Sequence, residues 1–190
     1  MLIFEVKLIN IMGRKSLKKH VFLTGYMGSG KSTLGALLAE QTATPFYDLD
    51  KEIEREDLLS VSDIFKFRGE EYFRILESEV LKKLTINSIP AVFALGGGAL
   101  TQAENLKFVL NHGVLIYLET SIPVLVQRLT NESSSRPIIS KYKGVELKQF
   151  IETHLGRRSK DYQKAHFTIN TDQISISKIA NRLIEVTNSF

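Results

Sequence analysis

The 190-residue chain contains no cysteine and no tryptophan, and only four prolines. Without cysteine there can be no disulfide, thiolate metal site or cysteine nucleophile, a composition that suits a reducing compartment such as the cytoplasm. No apolar run approaches the roughly 18 residues needed to span a bilayer, so no membrane span is expected. With 43% apolar and 24% charged residues the chain can build one sizeable core, and disorder is not expected. The net charge is +4, but residues 1–20 hold five basic groups and one acid, leaving 20 of each sign in the rest. The body is therefore neutral, which argues against a nucleic-acid surface. Met1–Ile11 is interrupted by Glu5 and Lys7 and does not resemble a signal peptide. Residues 1–19 are expected to form a basic extension, and 20–190 a single domain.

Short apolar runs alternate with segments of helical spacing, the pattern of βα units. Strands are expected at Val21–Thr24, Pro45–Leu49, Ala91–Leu95, Val114–Glu119 and Phe167–Thr171. Helical spacing covers Leu34–Glu40, Glu70–Ile86, Ala103–Leu110, Ile122–Leu129 and Ser175–Val186. Nearly continuous apolar strands belong to a parallel sheet covered on both faces, hence a three-layer α/β/α sandwich.

Directly after the first strand, Gly25-Tyr-Met-Gly-Ser-Gly30-Lys31-Ser32-Thr33 fits GxxxxGK[ST] between a strand and a helix. Gly28, Ser29 and Gly30 let successive N–H groups converge on an anion at the positive end of the following helix. Lys31 adds a charge for the β- and γ-phosphates, and Ser32 a hydroxyl for Mg²⁺, so ATP or GTP binding is expected. Asp48-Leu49-Asp50 closes the second expected strand. Strand alternation would put both acids on one side, and both would face the loop if that strand neighboured the first. They can then divide between metal and proton acceptance, or Asp50 can cap the helix that follows.

With those blocks, Ile64-Phe65-Lys-Phe-Arg-Gly69-Glu70-Glu-Tyr-Phe73-Arg74-Ile-Leu-Glu77 and Leu95-Gly96-Gly97-Gly98-Ala99 complete a pattern that resembles the shikimate kinases from about His20 to the C-terminus. That resemblance implies a P-loop kinase with a five-stranded parallel sheet and a mobile lid at about 131–143. It implies transfer of the γ-phosphate of ATP, with Mg²⁺, to the 3-hydroxyl of shikimate in aromatic amino-acid biosynthesis, by a cytoplasmic monomer. It also implies that Asp48 serves the metal with Ser32, while Asp50 meets the substrate hydroxyl as base or positioning group. Arg74 would grip the substrate carboxylate, with Gly96, Gly97 and Gly98 allowing close backbone approach and Phe65 and Phe73 walling the ring. Lys31, Thr33 and Arg128 would serve the nucleotide, Arg128 against adenine, and Arg136, before Pro137 in the lid, would reach the phosphates.

The residues suit these roles: a guanidinium fork matches a carboxylate, and Glu77, three residues on, can hold it, although a surface ion pair has the same spacing. Near the C-terminus, Arg157-Arg158-Ser-Lys-Asp-Tyr162 resembles the family's RxxxY segment. Spacing to Tyr162 favours Arg158 as a second carboxylate ligand, with Arg157 the alternative. A kinase for another small hydroxylated metabolite, or a nucleotide-binding switch, would keep the loop without this full set. The four histidines have no metal-ligand spacing.

Overall fold

The computed structural model describes residues 16–131, 139, 142–172 and 175–189. Five parallel strands, β1 (His20–Thr24), β2 (Phe46–Asp48), β3 (Val92–Ala94), β4 (Gly113–Glu119) and β5 (Phe167–Asn170), lie in the order β2-β3-β1-β4-β5. Seven helices flank them among the described residues: α1 (Lys31–Thr42), α2 (Leu49–Asp57), α3 (Val61–Asn87), α4 (Ala103–His112), α5 (Ile122–Asn131), α6 (Gly144–Tyr162) and α7 (Ile176–Asn188). None is long and apolar enough to cross a membrane.

Strand side chains pack in alternation on the two faces. Phe22, Phe93 and Leu115 join α3 and α4 on one face, whereas Val21, Leu23, Val92, Val114 and Ile116 join α1 and α7 on the other. Leu17 is buried in this second cluster, so the packed body begins before His20. Each strand lies within one or two residues of its expected limits. Two helices, however, occupy stretches where hydrophobic spacing marks none. Only Leu49 and Ile53 are buried from α2, and only Leu147, Ile151 and Tyr162 from α6, too sparse a stripe for periodicity to reveal.

Central β1 has β3 on one side and β4 on the other, so the chain changes direction beside it. A ligand cleft is expected above the carboxyl ends of the strands at such a point. Two expectations about the paired acids require correction. β3 intervenes between β1 and β2, and the strand ends at Asp48, because buried Leu49 already starts α2. Alternation therefore does not align Asp48 with Asp50. Extended Asp48 precedes α2 and Asp50 lies in its first turn, both at the positive end of the helix.

Candidate active site

A cleft of about 940 Å³ opens over the carboxyl ends of the strands. At one end, the loop after β1 runs into α1 through Gly30, a left-handed residue (φ 92°) that aims the helix N-terminus into the cleft. A Cβ on Gly25 would come within 2.7 Å of the Leu118 carbonyl oxygen on the neighbouring strand, which explains why glycine starts the turn. Lys31 Nζ donates to the carbonyls of Gly25 (2.8 Å) and Tyr26 (3.0 Å), holding the ammonium in the loop. Arg128, far from being a free surface side chain, donates to the carbonyls of Gly28 (3.1 Å) and Thr171 (2.9 Å). It ties α5 to the loop at the cleft edge, beside Thr33 and Ile179.

Where β3 ends, the three glycines leave the space above it open, and the two sides of the sheet meet there. Ser32 Oγ from α1 donates to Asp48 Oδ2 at 2.5 Å. These two oxygens, next to the loop, are the kind of hard donor that Mg²⁺ takes from a protein in addition to phosphate and water. No cluster of three or more acidic or histidine side chains competes for a metal among the described residues.

The opposite end is assembled from four segments. Arg74 donates through Nη1 to Glu77 Oε2 (2.8 Å) and through Nη2 to Glu70 Oε1 (3.2 Å), so its fork is held by carboxylates on its own helix. Glu77 is fully buried, and loss of solvent lifts its carboxyl to about 7 despite the opposing charge of Arg74. Asp50 is open to water in the cleft yet ringed by its walls; shielding from bulk solvent, then the charges of Asp48 and Glu54, raises its pKa against the pull of Lys31 and Arg74. Each glycine after Leu95 makes room for one of these groups. A Cβ at Gly96 would lie 2.8 Å from both Asp50 Oδ1 and Glu77 Oε1, at Gly97 3.3 Å from Arg158 Nη1, and at Gly98 2.7 Å from Arg74 Nη2.

Arg158 lines the cleft beneath the Tyr26 ring, whereas Arg157 is exposed on α6 and absent from the cleft lining. Tyr162, four residues on, donates from its hydroxyl to the Gly97 carbonyl and stacks on Tyr117 (5.2 Å), joining α6 to the glycine turn. Phe65 and Phe73 meet at 4.6 Å and line the cleft, with the Arg74 guanidinium 5.2 Å from the Phe73 ring. Arg136 and most of the expected lid lie outside the described residues; of that stretch, Ile139 is buried with Tyr26, Leu125 and Leu147. Thus Lys31, Ser32, Asp48, Asp50, Arg74, Gly96–Gly98, Arg128, Arg158, Phe65 and Phe73 share one cleft.

Glu54 also reaches this cleft, and its Oε1 accepts the Val61 N–H at 2.9 Å. Its signal in the sequence is the four-residue step from Asp50 along α2. The histidines do structural work: His20 Nδ1 accepts the Ala91 N–H (3.2 Å) and His166 Nδ1 that of Leu115 (2.9 Å).

Comparison with known proteins agrees with this architecture. The family model described as shikimate kinase matches residues 27–188. A shikimate kinase of Flavobacterium johnsoniae is 37% identical over 167 residues, covering 87% of this chain and 97% of the relative. Among solved structures, shikimate kinase from Acinetobacter baumannii in complex with shikimate is 35% identical with a TM-score of 0.81, covering 90% of this chain and 93% of that one. Shikimate kinase from Bacteroides thetaiotaomicron is 34% identical with a TM-score of 0.84, covering 90% and 98%. Matched by the family model from the phosphate loop through the last helix and by solved structures over 90% of its length, the chain belongs to the shikimate kinase family.

Proposed function

We propose that the protein transfers the γ-phosphoryl group of ATP to the 3-hydroxyl of shikimate, giving ADP and shikimate 3-phosphate on the route to aromatic amino acids. The observation that carries this is a single cleft with a phosphate loop at one end and, at the other, a carboxyl group, Asp50, flanked by two arginines. The N–H groups of Gly28–Thr33 and Lys31 receive the phosphates, and Arg128 lies along the adenine. Ser32 and Asp48 hold Mg²⁺, which offsets charge on the β- and γ-phosphates when bound.

Arg74 and Arg158 take the acceptor carboxylate, Gly96–Gly98 admit the acceptor close to the backbone, and Phe65 and Phe73 bound its ring. The acceptor oxygen forms its bond to the γ-phosphorus as the bond to the bridging oxygen of ADP breaks, and Asp50 takes the hydroxyl proton. A raised carboxyl pKa makes Asp50 a stronger proton acceptor, although a loose transition state asks mainly for orientation. The family resemblance assigns Arg136, outside the described residues, to the transferring phosphoryl group, where exclusion of water removes a competing acceptor. We place the enzyme in the cytoplasm as a monomer, with Leu17 already part of the kinase domain; most of the expected extension, residues 1–15, lies outside the described residues. It has no role for nucleic acid or membrane.

A coupled ADP-release assay with ATP and Mg²⁺ tests this, using shikimate, gluconate, AMP or no acceptor. Release is expected with shikimate alone. Release with another acceptor would replace the substrate, and ATP binding without acceptor-dependent release would point to a nucleotide switch.

A further inference from the structure

The acceptor wall has a weak point in its construction. Within α3, Gly69 leaves helical geometry (φ 83°, ψ 172°), so the helix is two pieces, residues 61–68 and 70–87, meeting at a kink. The longer piece carries Phe73, Arg74 and Glu77. The shorter piece carries Phe65, which packs on Phe73, and with Ser60, Val61 and Ser62 it contributes to the cleft lining. Eight residues are too few for a helix to be stable alone in water. This piece has few buried anchors: Ile64 is fully buried, Val61 and Phe65 partly, and Phe67 is 66% exposed.

What ties it down is a three-residue network across the kink. Arg68, the last residue of the short piece, donates to the Tyr72 hydroxyl at 2.6 Å and lies 2.9 Å from Asp57 Oδ1. The Tyr72 hydroxyl, in the first turn after the kink, donates to the same Asp57 oxygen at 2.7 Å. Arg68 also covers the Tyr72 ring at 4.8 Å. Asp57 closes α2, the helix whose opposite end presents Asp50.

The carboxylate of this network is buried, unlike one in an ordinary surface ion pair, while the Arg68 side chain above it is 42% exposed. The Asp57 side chain is 5% exposed, and its second oxygen has no hydrogen-bond partner among the described residues. A buried carboxylate so placed depends on Arg68 and Tyr72, and removal of either partner costs far more than loss of an exposed pair. Gly69 itself contributes no packing, since a Cβ there would meet nothing within 4 Å. The direction of the short piece is therefore set by the left-handed backbone at Gly69, by burial of Ile64, by the Val61 N–H bond to Glu54 and by the clasp.

We propose that Asp57, Arg68 and Tyr72 are positioning residues for the acceptor: their clasp across Gly69 holds residues 61–68, and with them Phe65, against the acceptor end of the cleft. The proposal rests on the assignment of that end to shikimate. None of the three lines the cleft, so they act through the wall and not on the reacting atoms.

Tyr72→Phe removes one hydroxyl and keeps the ring, Arg68→Ala removes the charge, and Arg68→Lys restores it without the fork. In the ligand-free full-length protein, amide exchange over residues 61–68 is expected to quicken by about tenfold in the first two variants, with exchange in β1 and β4 unchanged. In steady-state assays the KM for shikimate is expected to rise about three- to tenfold, while kcat and the KM for ATP stay within about twofold, and Arg68→Lys recovers much of the loss. Unchanged exchange over 61–68 would overturn the clasp. Faster exchange with an unaltered KM for shikimate, or equal changes in both KM values, would overturn its role toward the acceptor. A wild-type enzyme idle with shikimate would instead overturn the substrate assignment, with the exchange comparison still judging the clasp.

Discussion

The two ends of the cleft are built on different principles. The proposed nucleotide end rests chiefly on one continuous run, Gly25–Thr33, with Arg128 added from α5; its backbone N–H groups are placed by local geometry, and a neighbouring carbonyl excludes a side chain at Gly25. The acceptor end draws single side chains from α2, α3, the glycine turn and α6, and each glycine there exists to make room for another residue's polar group. Backbone chemistry tolerates little change but is robust in position. Side-chain chemistry can be altered one group at a time, and it depends on long-range packing.

The sharpest way to break this contrast is Arg74→Ala. If the acceptor end works through separable side chains, the KM for shikimate should rise about 10- to 100-fold, the loss of a charged bidentate partner, with the KM for ATP within about twofold. Equal effects on both would show that the ends are not separable.

A paired substitution sharpens it further. In Gly25→Ala the new methyl meets the Leu118 carbonyl at a φ of 146°, so a loss of about 1–3 kcal/mol in stability is expected, together with weakened nucleotide binding. In Gly98→Ala the clash is with the guanidinium of Arg74 and not with backbone, so Tm should fall less than in Gly25→Ala while the KM for shikimate rises about fivefold. Thermal melts and initial rates on both proteins decide the matter, and a Gly98→Ala enzyme as unstable as Gly25→Ala would erase the distinction.

The smallest effect concerns Glu77. Its ordinary value of 4.5 is raised to about 7 in the folded protein, so the native state holds that proton over the interval between. Its contribution to stability is complete below about pH 4.5 and is lost as the pH rises through about 7. Glu77→Gln lacks this loss, so the variant should gain on the wild type between those limits by on the order of 1 kcal/mol, while its affinity for shikimate falls above about pH 7, where Arg74 loses a charged partner. Parallel stability-against-pH curves would contradict the burial cost assigned to this carboxyl.

Much of the architecture is legible in the chain because it rests on local rules. The five apolar runs become the five strands within a residue or two, and the glycine–lysine–serine run becomes the anion loop, since turn geometry and helix polarity are properties of neighbouring residues. The pairing of Arg74 with Glu77 is legible as well, being one helical turn. Two features were not. Asp48 and Asp50 share the cleft through the start of α2 and not through strand alternation, because burial of Leu49 under the sheet ends the strand one residue early. The helical stripes of α2 and α6 are too thin to register.

Spacing to Tyr162 already favours Arg158 over Arg157 in the sequence, and the tertiary structure supplies the physical cause. The two are adjacent and chemically identical, and only the packing of α6 through Tyr162 against Gly97 and Tyr117 turns one into the cleft. The same holds for the clasp, which joins residues 57, 68 and 72 across a helix break. By itself the sequence determined which segments form strands, where an anion is held and which residue types are available to grip an acid. Folding decided which of them meet, because a meeting of side chains from separate elements is a property of the packed core, where burial sets both the neighbours of a charge and the cost of leaving it unpaired.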